Sequence, residues 1–223
     1  MTARVAVVLP VYAQAAFLGR AVGSLLTQTL TDWELVIVDD GSPEGIKAVT
    51  APFRDDPRVR VLRHDRNQGL GAALNTGIDA TTAPAVAYLP ADDRYDRDHL
   101  AALLGYLDPA VLTWSGVRHN GGGIAYDAPP GHPLQLVQVM HQRTTDRWPE
   151  REELESDDLE LLFWSRLRSH GPTARTGQVT CEWVDHPGQR HKASARPTTG
   201  GSMSFAAATG SPRRCDCIPV TAA

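Results

Sequence analysis

An α/β fold built on a largely parallel sheet is what this sequence predicts, on three grounds. Short apolar runs alternate with segments of helical spacing through the first half of the chain. Those runs are apolar on both faces and partly β-branched or aromatic, the pattern of strands covered by helices on both sides. Two of them lead into adjacent aspartates, Asp39–Asp40 and Asp92–Asp93, which in an open α/β sheet fall where ligands bind.

The elements follow in order. Val5–Val11 reads as a strand, and Ala15–Thr29 as a helix with Phe17, Leu18, Val22, Leu25 and Leu26 at apolar spacing. Leu35–Val38 is a second strand, and Glu44–Phe53 a weaker helix broken at Pro52. Val59–Leu62 is a short third strand. Gly69–Ala80 is a helix carrying Leu70, Ala73, Leu74 and Ile78. Ala85–Leu89 is the fourth strand, followed by a helix over Asp96–Leu107 with its leucines inward, and Val111–Val117 is a fifth strand. Strands alternating with helices of about ten to fifteen residues imply right-handed βαβ units.

Beyond residue 107 the pattern loosens. His119–Pro133, rich in Gly and Pro, reads as a loop, and Leu134–His141 as a short strand. Ser156–Arg168 is the clearest late helix, with Ser156 as N-cap candidate, Asp157 and Asp158 in the first turn and Arg166 and Arg168 near the end. Thr180–Val184 is one more strand. From about Ala193 the residues are small and polar without period, so 193–223 is expected to be a disordered tail.

Bulk properties narrow the function. The 223 residues suffice for one well-cored domain with a smaller C-terminal addition. A net charge of −4 argues against a nucleic-acid partner, which would call for a basic face. No stretch approaches the ~18 apolar residues of a membrane span. The opening Met1-Thr2-Ala3-Arg4 runs straight into a strand, without a signal-peptide pattern. Three cysteines, Cys181, Cys215 and Cys217, make no disulfide framework and are expected as reduced thiols. A cytoplasmic protein is expected, with peripheral association at the inner membrane face left open.

The strand ends carry the chemistry. The first ends Leu9-Pro10-Val11-Tyr12, bringing an aromatic ring to the crevice, and the second ends Asp39-Asp40-Gly41-Ser42, where the glycine permits a tight turn. The third ends Arg63-His64-Asp65-Arg66-Asn67, and the fourth leads through Pro90-Ala91 into Asp92-Asp93. Each alone has an ordinary structural explanation; together they converge on one edge. No Gly-x-Gly-x-x-Gly or Gly-x-x-x-x-Gly-Lys-Ser/Thr follows the first strand, so a glycine loop does not cradle phosphates there. Carboxylates at the fourth strand suit Mg²⁺ or Mn²⁺ bridging to a diphosphate instead.

These residues resemble a known family. Val7-Val8-Leu9-Pro10-Val11-Tyr12, Leu25-Leu26-Thr27-Gln28-Thr29 and Trp33-Glu34-Leu35-Val36-Ile37-Val38-Asp39-Asp40-Gly41-Ser42 look like the opening of the inverting family 2 glycosyltransferases. Asn67-Gln68-Gly69-Leu70 with Ala72-Ala73-Leu74-Asn75-Thr76-Gly77-Ile78, and Tyr88-Leu89-Pro90-Ala91-Asp92-Asp93, continue it in order. The resemblance implies a GT-A fold with a Rossmann-like sheet. Residues 1–107 would form the nucleotide-sugar half of the domain, and 108–192 its less regular acceptor-side and catalytic half. It implies transfer of a sugar from a nucleotide-diphosphate donor to a hydroxyl of a glycan, lipid-linked or small-molecule acceptor, with inversion and metal assistance.

The resemblance also implies roles. Tyr12 would lie against the nucleobase, Asp40 would accept from a base N–H, and Pro10 would add a backbone contact. Asp92 would meet the ribose or sugar, and Asp93 would bind the metal. Asp158, with Asp157 second, would be the base that deprotonates the acceptor. In the late cluster Trp183–Lys192, His191 and after it His186 would complete the metal shell or meet the diphosphate, and Arg190 and Lys192 would offset leaving-group charge. Trp148 and Trp164 are candidates for an acceptor groove, with Trp164 expected in the core. Three departures stand out: Ala91 fills the first position of the family's Asp-x-Asp, Ala13-Gln14 replaces Asn-Glu, and Leu74 replaces a basic residue, whose charge Arg63, Arg66 or Lys192 would supply. The rival readings are a nucleotidyltransferase and a catalytically silent nucleotide-binding protein of the same fold.

Overall fold

The computed structural model describes residues 3–119, 122–126, 134–154, 159–184 and 186. Three strands open the sheet: β1 (Val5–Val11), β2 (Trp33–Asp39) and β3 (Val59–Arg63), linked by α1 (Ala15–Leu26) and a weak α2 (Lys47–Thr50) that passes into a 3-10 turn, Ala51–Phe53, at Pro52. Then come α3 (Leu70–Asp79), β4 (Ala85–Tyr88), β5 (Arg94–Tyr95) and α4 (His99–Leu104). The second half holds β6 (Leu112–His119), β7 (Ile124–Ala125), β8 (Val139–Gln142), α5 (Leu159–Arg168) and β9 (Thr173–Trp183).

Among the described residues these strands form one nine-stranded sheet, ordered β3-β2-β1-β4-β8-β6-β9-β5 with β7 on the side of β6. The pairs β1–β2, β2–β3, β1–β4 and β6–β9 are parallel, whereas β8, β7 and β5 pair antiparallel. The expected strand at 111–117 is present as β6, but β8 separates it from β4. Pro10 is tolerated inside β1 because the β4 ladder stops at Val8, so on that side its missing N–H leaves no ladder bond unmade.

Alternation along β1 builds two cores. Val5, Val7, Leu9 and Val11 pack with Leu18, Val22 and Leu25 of α1 on one face. Val8, on the other, packs with Leu74, Tyr88, Trp148, Phe163 and Trp164. Burial on both faces explains why the parallel strands read as unbroken apolar runs. Helix α3 lies close to its neighbours because its glycines allow it. A Cβ at Gly77 would come within 2.3 Å of Val8, and one at Gly71 within 1.9 Å of the Pro149 carbonyl oxygen.

Strands β2 and β3 follow β1 on one side, while β4 lies on the other. The order therefore reverses between β1 and β4, and the crevice at such a reversal, beyond the carboxyl ends of the strands, is the binding position of open α/β sheets. The short β5 then pairs with the end of β9, Arg94 opposite Glu182 and Tyr95 opposite Cys181. That pairing returns the chain after Trp183 to the segment just left by Asp92 and Asp93.

Candidate functional site

At the exit of β1, Tyr12 is 45% exposed, so its ring is not consumed by the core. Ala13 adopts φ +52°, a left-handed conformation rare for a residue with a Cβ. Its N–H donates to Ser42 Oγ at 3.1 Å, fastening this exit to the turn after β2. Asp39 fixes that turn: Oδ1 accepts from the Ser42 N–H at 2.8 Å, and Oδ2 pairs with Arg63, whose guanidinium also donates to the Ser42 carbonyl oxygen at 3.0 Å. Arg63 is thus held by Asp39 and Ser42.

Asp40 takes the other direction. Its Oδ1 accepts from the Gln68 N–H at 2.8 Å and its Oδ2 from the Gly69 N–H at 2.9 Å. His64 Nδ1 lies 2.7 Å from Oδ1, and His64 Nε2 lies 3.0 Å from Thr76 Oγ1. The loop reaches Asp40 because Gly41, at φ +75°, has no Cβ; one there would stand 2.6 Å from the Arg66 carbonyl carbon. Gly69, the N-cap of α3, is likewise left-handed at φ +102°. The sequence showed His64 only as part of a polar strand end; it is a direct partner of Asp40.

Asp92 and Asp93 divide differently. Asp92 Oδ2 accepts from Gln14 Nε2 at 3.0 Å and from His186 Nε2 at 2.9 Å. Among the described residues Oδ1 of Asp92 has no hydrogen-bond partner. Asp93 is 2% exposed and its Oδ1 accepts from the Val184 N–H at 3.0 Å. Burial, reinforced by the neighbouring Asp92 charge, pushes the Asp93 carboxyl well above the usual carboxylate range. The His186 ring is stacked on Phe17 of α1, centroids 4.5 Å apart. Ala91 is wholly buried, and Pro10 is a buried member of β1.

The structure thus brings Pro10, Tyr12, Asp40, Asp92, Asp93 and His186 to the carboxyl edge of the sheet. Asp157, Asp158, Arg190, His191 and Lys192 lie outside the described residues, as does the expected tail. Leu159, which opens α5, is buried, and a Cβ at Gly71 would touch it at 3.3 Å. The start of α5 therefore packs against the first turn of α3, two residues after Gly69. Trp148 is no groove residue: it is fully buried, its ring stacked on Phe163 and its Nε1–H donated to Tyr88 Oη at 3.0 Å. Trp164 is buried with it, as expected. Leu74 is fully buried, in one hydrophobic cluster with Val8 and Tyr88. Gln14 and Phe17 escaped the sequence reading, although Gln14 lay in the noted departure Ala13-Gln14.

The model of glycosyl transferase family 2 matches residues 6–159, well over half of the chain. The chain belongs to glycosyl transferase family 2. An uncharacterized glycosyltransferase of Rickettsia felis is 33% identical over 117 residues, 52% of this chain and 19% of that protein. One from Nostoc is 38% identical over 118 residues, 52% of this chain and 36% of that protein. The succinoglycan biosynthesis protein ExoO of Rhizobium meliloti is 38% identical over 103 residues, 46% of this chain and 29% of that protein. The matched part thus spans between about a fifth and about a third of these relatives.

The fold has solved counterparts. Residues 1–349 of S. aureus TarS, in complex with UDP-GlcNAc, superpose with a TM-score of 0.73 at 18% identity, covering 88% of this chain and 62% of that one. The mannosyltransferase PcManGT from Pyrobaculum calidifontis, in complex with GDP-Man and Mn²⁺, gives a TM-score of 0.64 at 19% identity, covering 85% and 59%. The family 2 domain has the GT-A architecture expected from its sequence. No helix among the described residues is long and apolar enough to cross a membrane.

Proposed function

We propose that this chain binds a nucleotide-diphosphate sugar and transfers the sugar, with inversion, to an acceptor hydroxyl. The observation that carries the reading is the convergence of Tyr12, Asp40 and Asp92–Asp93 at the reversal of strand order between β1 and β4. Tyr12 offers an exposed ring face on which a base stacks, and Asp40 an oriented acceptor for a base N–H. Asp92, its Oδ2 held by Gln14 and His186, turns Oδ1 to a ribose or sugar hydroxyl.

The acidic pair fits a divalent cation of the magnesium or manganese kind. Among the described residues no three His, Cys, Asp or Glu side chains form a closed cage. Such ions, however, are commonly held by one or two carboxylates together with substrate phosphates. Asp93, buried beside a like charge and with one oxygen outside any described hydrogen bond, is the hard ligand such an ion would relieve. His186, adjacent through Asp92, and His191 are the further candidates. When bound, the cation would neutralise charge on the departing nucleoside diphosphate.

The acceptor, whether glycan, lipid-linked or small molecule, needs a base positioned opposite the leaving group. Asp158, and after it Asp157, holds that role in our reading, supported by the packing of Leu159 against the first turn of α3. Arg190 and Lys192 would face the diphosphate. A catalytically silent nucleotide binder of the same fold is the second reading; what favours it is Leu74, apolar and buried where the family resemblance implies a cation.

A thermal-shift panel of UDP-, GDP-, dTDP- and CDP-sugars with and without Mn²⁺ tests donor binding. A donor at ~100 times its dissociation constant adds roughly 2.7 kcal/mol, about 5–10 °C for a chain of this size. Donor turnover by Asp158→Asn then separates the readings. Lost turnover with retained donor shift supports the transferase, and absence of turnover in the parent chain with any acceptor supports the silent binder.

A further inference from the structure

The hydrogen bonds around Asp40 bear on which nucleotide enters, granting the donor-site reading above. An ionised carboxylate has about two lone pairs on each oxygen. Oδ1 of Asp40 is filled by the Gln68 N–H at 2.8 Å and by His64 Nδ1 at 2.7 Å. Oδ2 accepts only the Gly69 N–H at 2.9 Å among the described residues. The His64 side chain is 10% exposed and its far nitrogen is 3.0 Å from Thr76 Oγ1, so the ring is gripped at both ends. The carboxylate itself is 5% exposed, and water cannot freely replace a missing partner there.

We infer that Asp40 offers a single vacant acceptor position, so the donor carries a base with one imide N–H, uracil or thymine, and that His64 is the positioning residue that excludes guanine. Guanine presents N1–H and N2–H side by side, a pair that suits both oxygens of one carboxylate. With Oδ1 filled, one of those donors stays unpaired in a nearly buried site. Cytosine and adenine bring an amino N–H flanked by a ring-nitrogen lone pair, which would face the carboxylate and repel it. Uracil and thymine place one N3–H on Oδ2 and ask nothing of Oδ1. The ring of His64 does not touch the base; it acts by occupying Oδ1 and fixing the carboxylate plane.

The test is calorimetric titration of the full chain with UDP, dTDP, GDP and CDP in the presence of Mn²⁺, for the parent and two variants. The parent is expected to bind UDP and dTDP at least roughly tenfold more tightly than GDP and CDP, the scale of one unpaired buried donor. His64→Ala vacates Oδ1 and should narrow the UDP-to-GDP ratio by about the same factor. His64→Asn, whose amide N–H stands near the place of Nδ1, should restore it; a general loss of structure would weaken all nucleotides alike and leave the ratio unmoved. GDP binding as tightly as UDP in the parent overturns the inference while leaving the donor reading intact. A ratio unaffected by His64→Ala overturns the role of His64. Binding of no nucleotide removes the donor reading, and this inference with it.

Discussion

Nε2 of His186 stands 2.9 Å from Oδ2 of Asp92, although 94 positions separate the two residues in the chain. The contact depends on β5, whose two residues pair with the end of β9, and on Phe17, whose ring stacks on the imidazole. Because the same oxygen also accepts from Gln14, both donors hold the carboxylate rather than compete for a ligand. We predict that His186→Ala leaves the chain folded, with a loss of about 1 kcal/mol for the hydrogen bond. It should weaken donor binding roughly tenfold, because the carboxylate it orients, Asp92, is the one proposed to meet the donor's ribose or sugar hydroxyl. Gln14→Ala should act in the same direction and more weakly. Unchanged donor affinity in both variants would show that the orientation of Asp92 does not matter to the site.

Asp93 should cost the apo chain stability. A carboxylate that is 2% exposed beside a second acid is penalised whenever it ionises. Asn at this position keeps an oxygen for the Val184 N–H and removes the charge. Asp93→Asn is predicted to raise the apo melting point near neutral pH by a few degrees, on the order of 1 kcal/mol, while abolishing the Mn²⁺-dependent donor shift. The sign follows from linkage. A folded-state pKa above the unfolded one makes the protonated side chain stabilising at low pH, and that contribution is lost as pH rises through the folded value. The parent should therefore gain on the variant as pH falls. An Asn variant less stable than the parent at neutral pH would refute the buried-charge penalty.

Acid stability draws on two buried histidines, His141 and His99. His141 is buried and neutral: Tyr88 Oη lies 2.6 Å from Nε2, and Nδ1 lies 2.6 Å from the Gln142 carbonyl oxygen. Burial lowers its pKa from 6.5 to about 4. His99, with Nδ1 2.8 Å from Thr180 Oγ1 and Nε2 buried without a described partner, is lowered further, to about 3. Depressed histidines stabilise the fold above the unfolded pKa and lose that contribution as pH falls from about 6.5 towards the folded values, because the unfolded chain takes up the proton first. For His141 the loss amounts to about 3 kcal/mol across the window. Urea melts at about pH 7 and about pH 5 should show the drop, and His141→Gln should flatten it by about one proton. An equal pH slope in the variant would place the titration elsewhere.

How much of this was legible in the sequence follows from where each signal resides. Strands β1, β2 and β4 announce themselves because both faces are buried. Only the Thr180–Val184 end of β9 was visible, since Thr173–Gln178 is mostly exposed and carries no apolar pattern. Two-residue strands such as β5 and β7 have no period to detect. The helix expected over Asp96–Leu107 is confined to His99–Leu104, with the apolar positions correct and the ends overdrawn. At the site, the acids were readable as residue types at strand ends. Their partners were not, because Asp40 is held by backbone N–H groups 28 and 29 positions away, which leave no side-chain signature.

The exit of β1 offers the last test, and it concerns a departure from the family pattern. Ala13 holds φ +52°, where a side chain bearing a Cβ is strained by about 1–2 kcal/mol and where Asn is among the better tolerated residues. Asn after the tyrosine is the pattern the family resemblance implies, so the backbone there keeps a conformation that alanine does not favour. Its N–H bond to Ser42 Oγ shows that the turn, rather than the side chain, holds it. Ala13→Asn is predicted to stabilise the chain by about 0.5–1 kcal/mol, or roughly 1–4 °C, with nucleotide affinity unchanged. Ala13→Val should lower the melting point and, by shifting Tyr12 and Gln14 on either side, weaken nucleotide binding as well. If Asn proves neutral and Val harmless, residue 13 does not dwell in the left-handed region, and the link from this turn to Tyr12 would have to be given up.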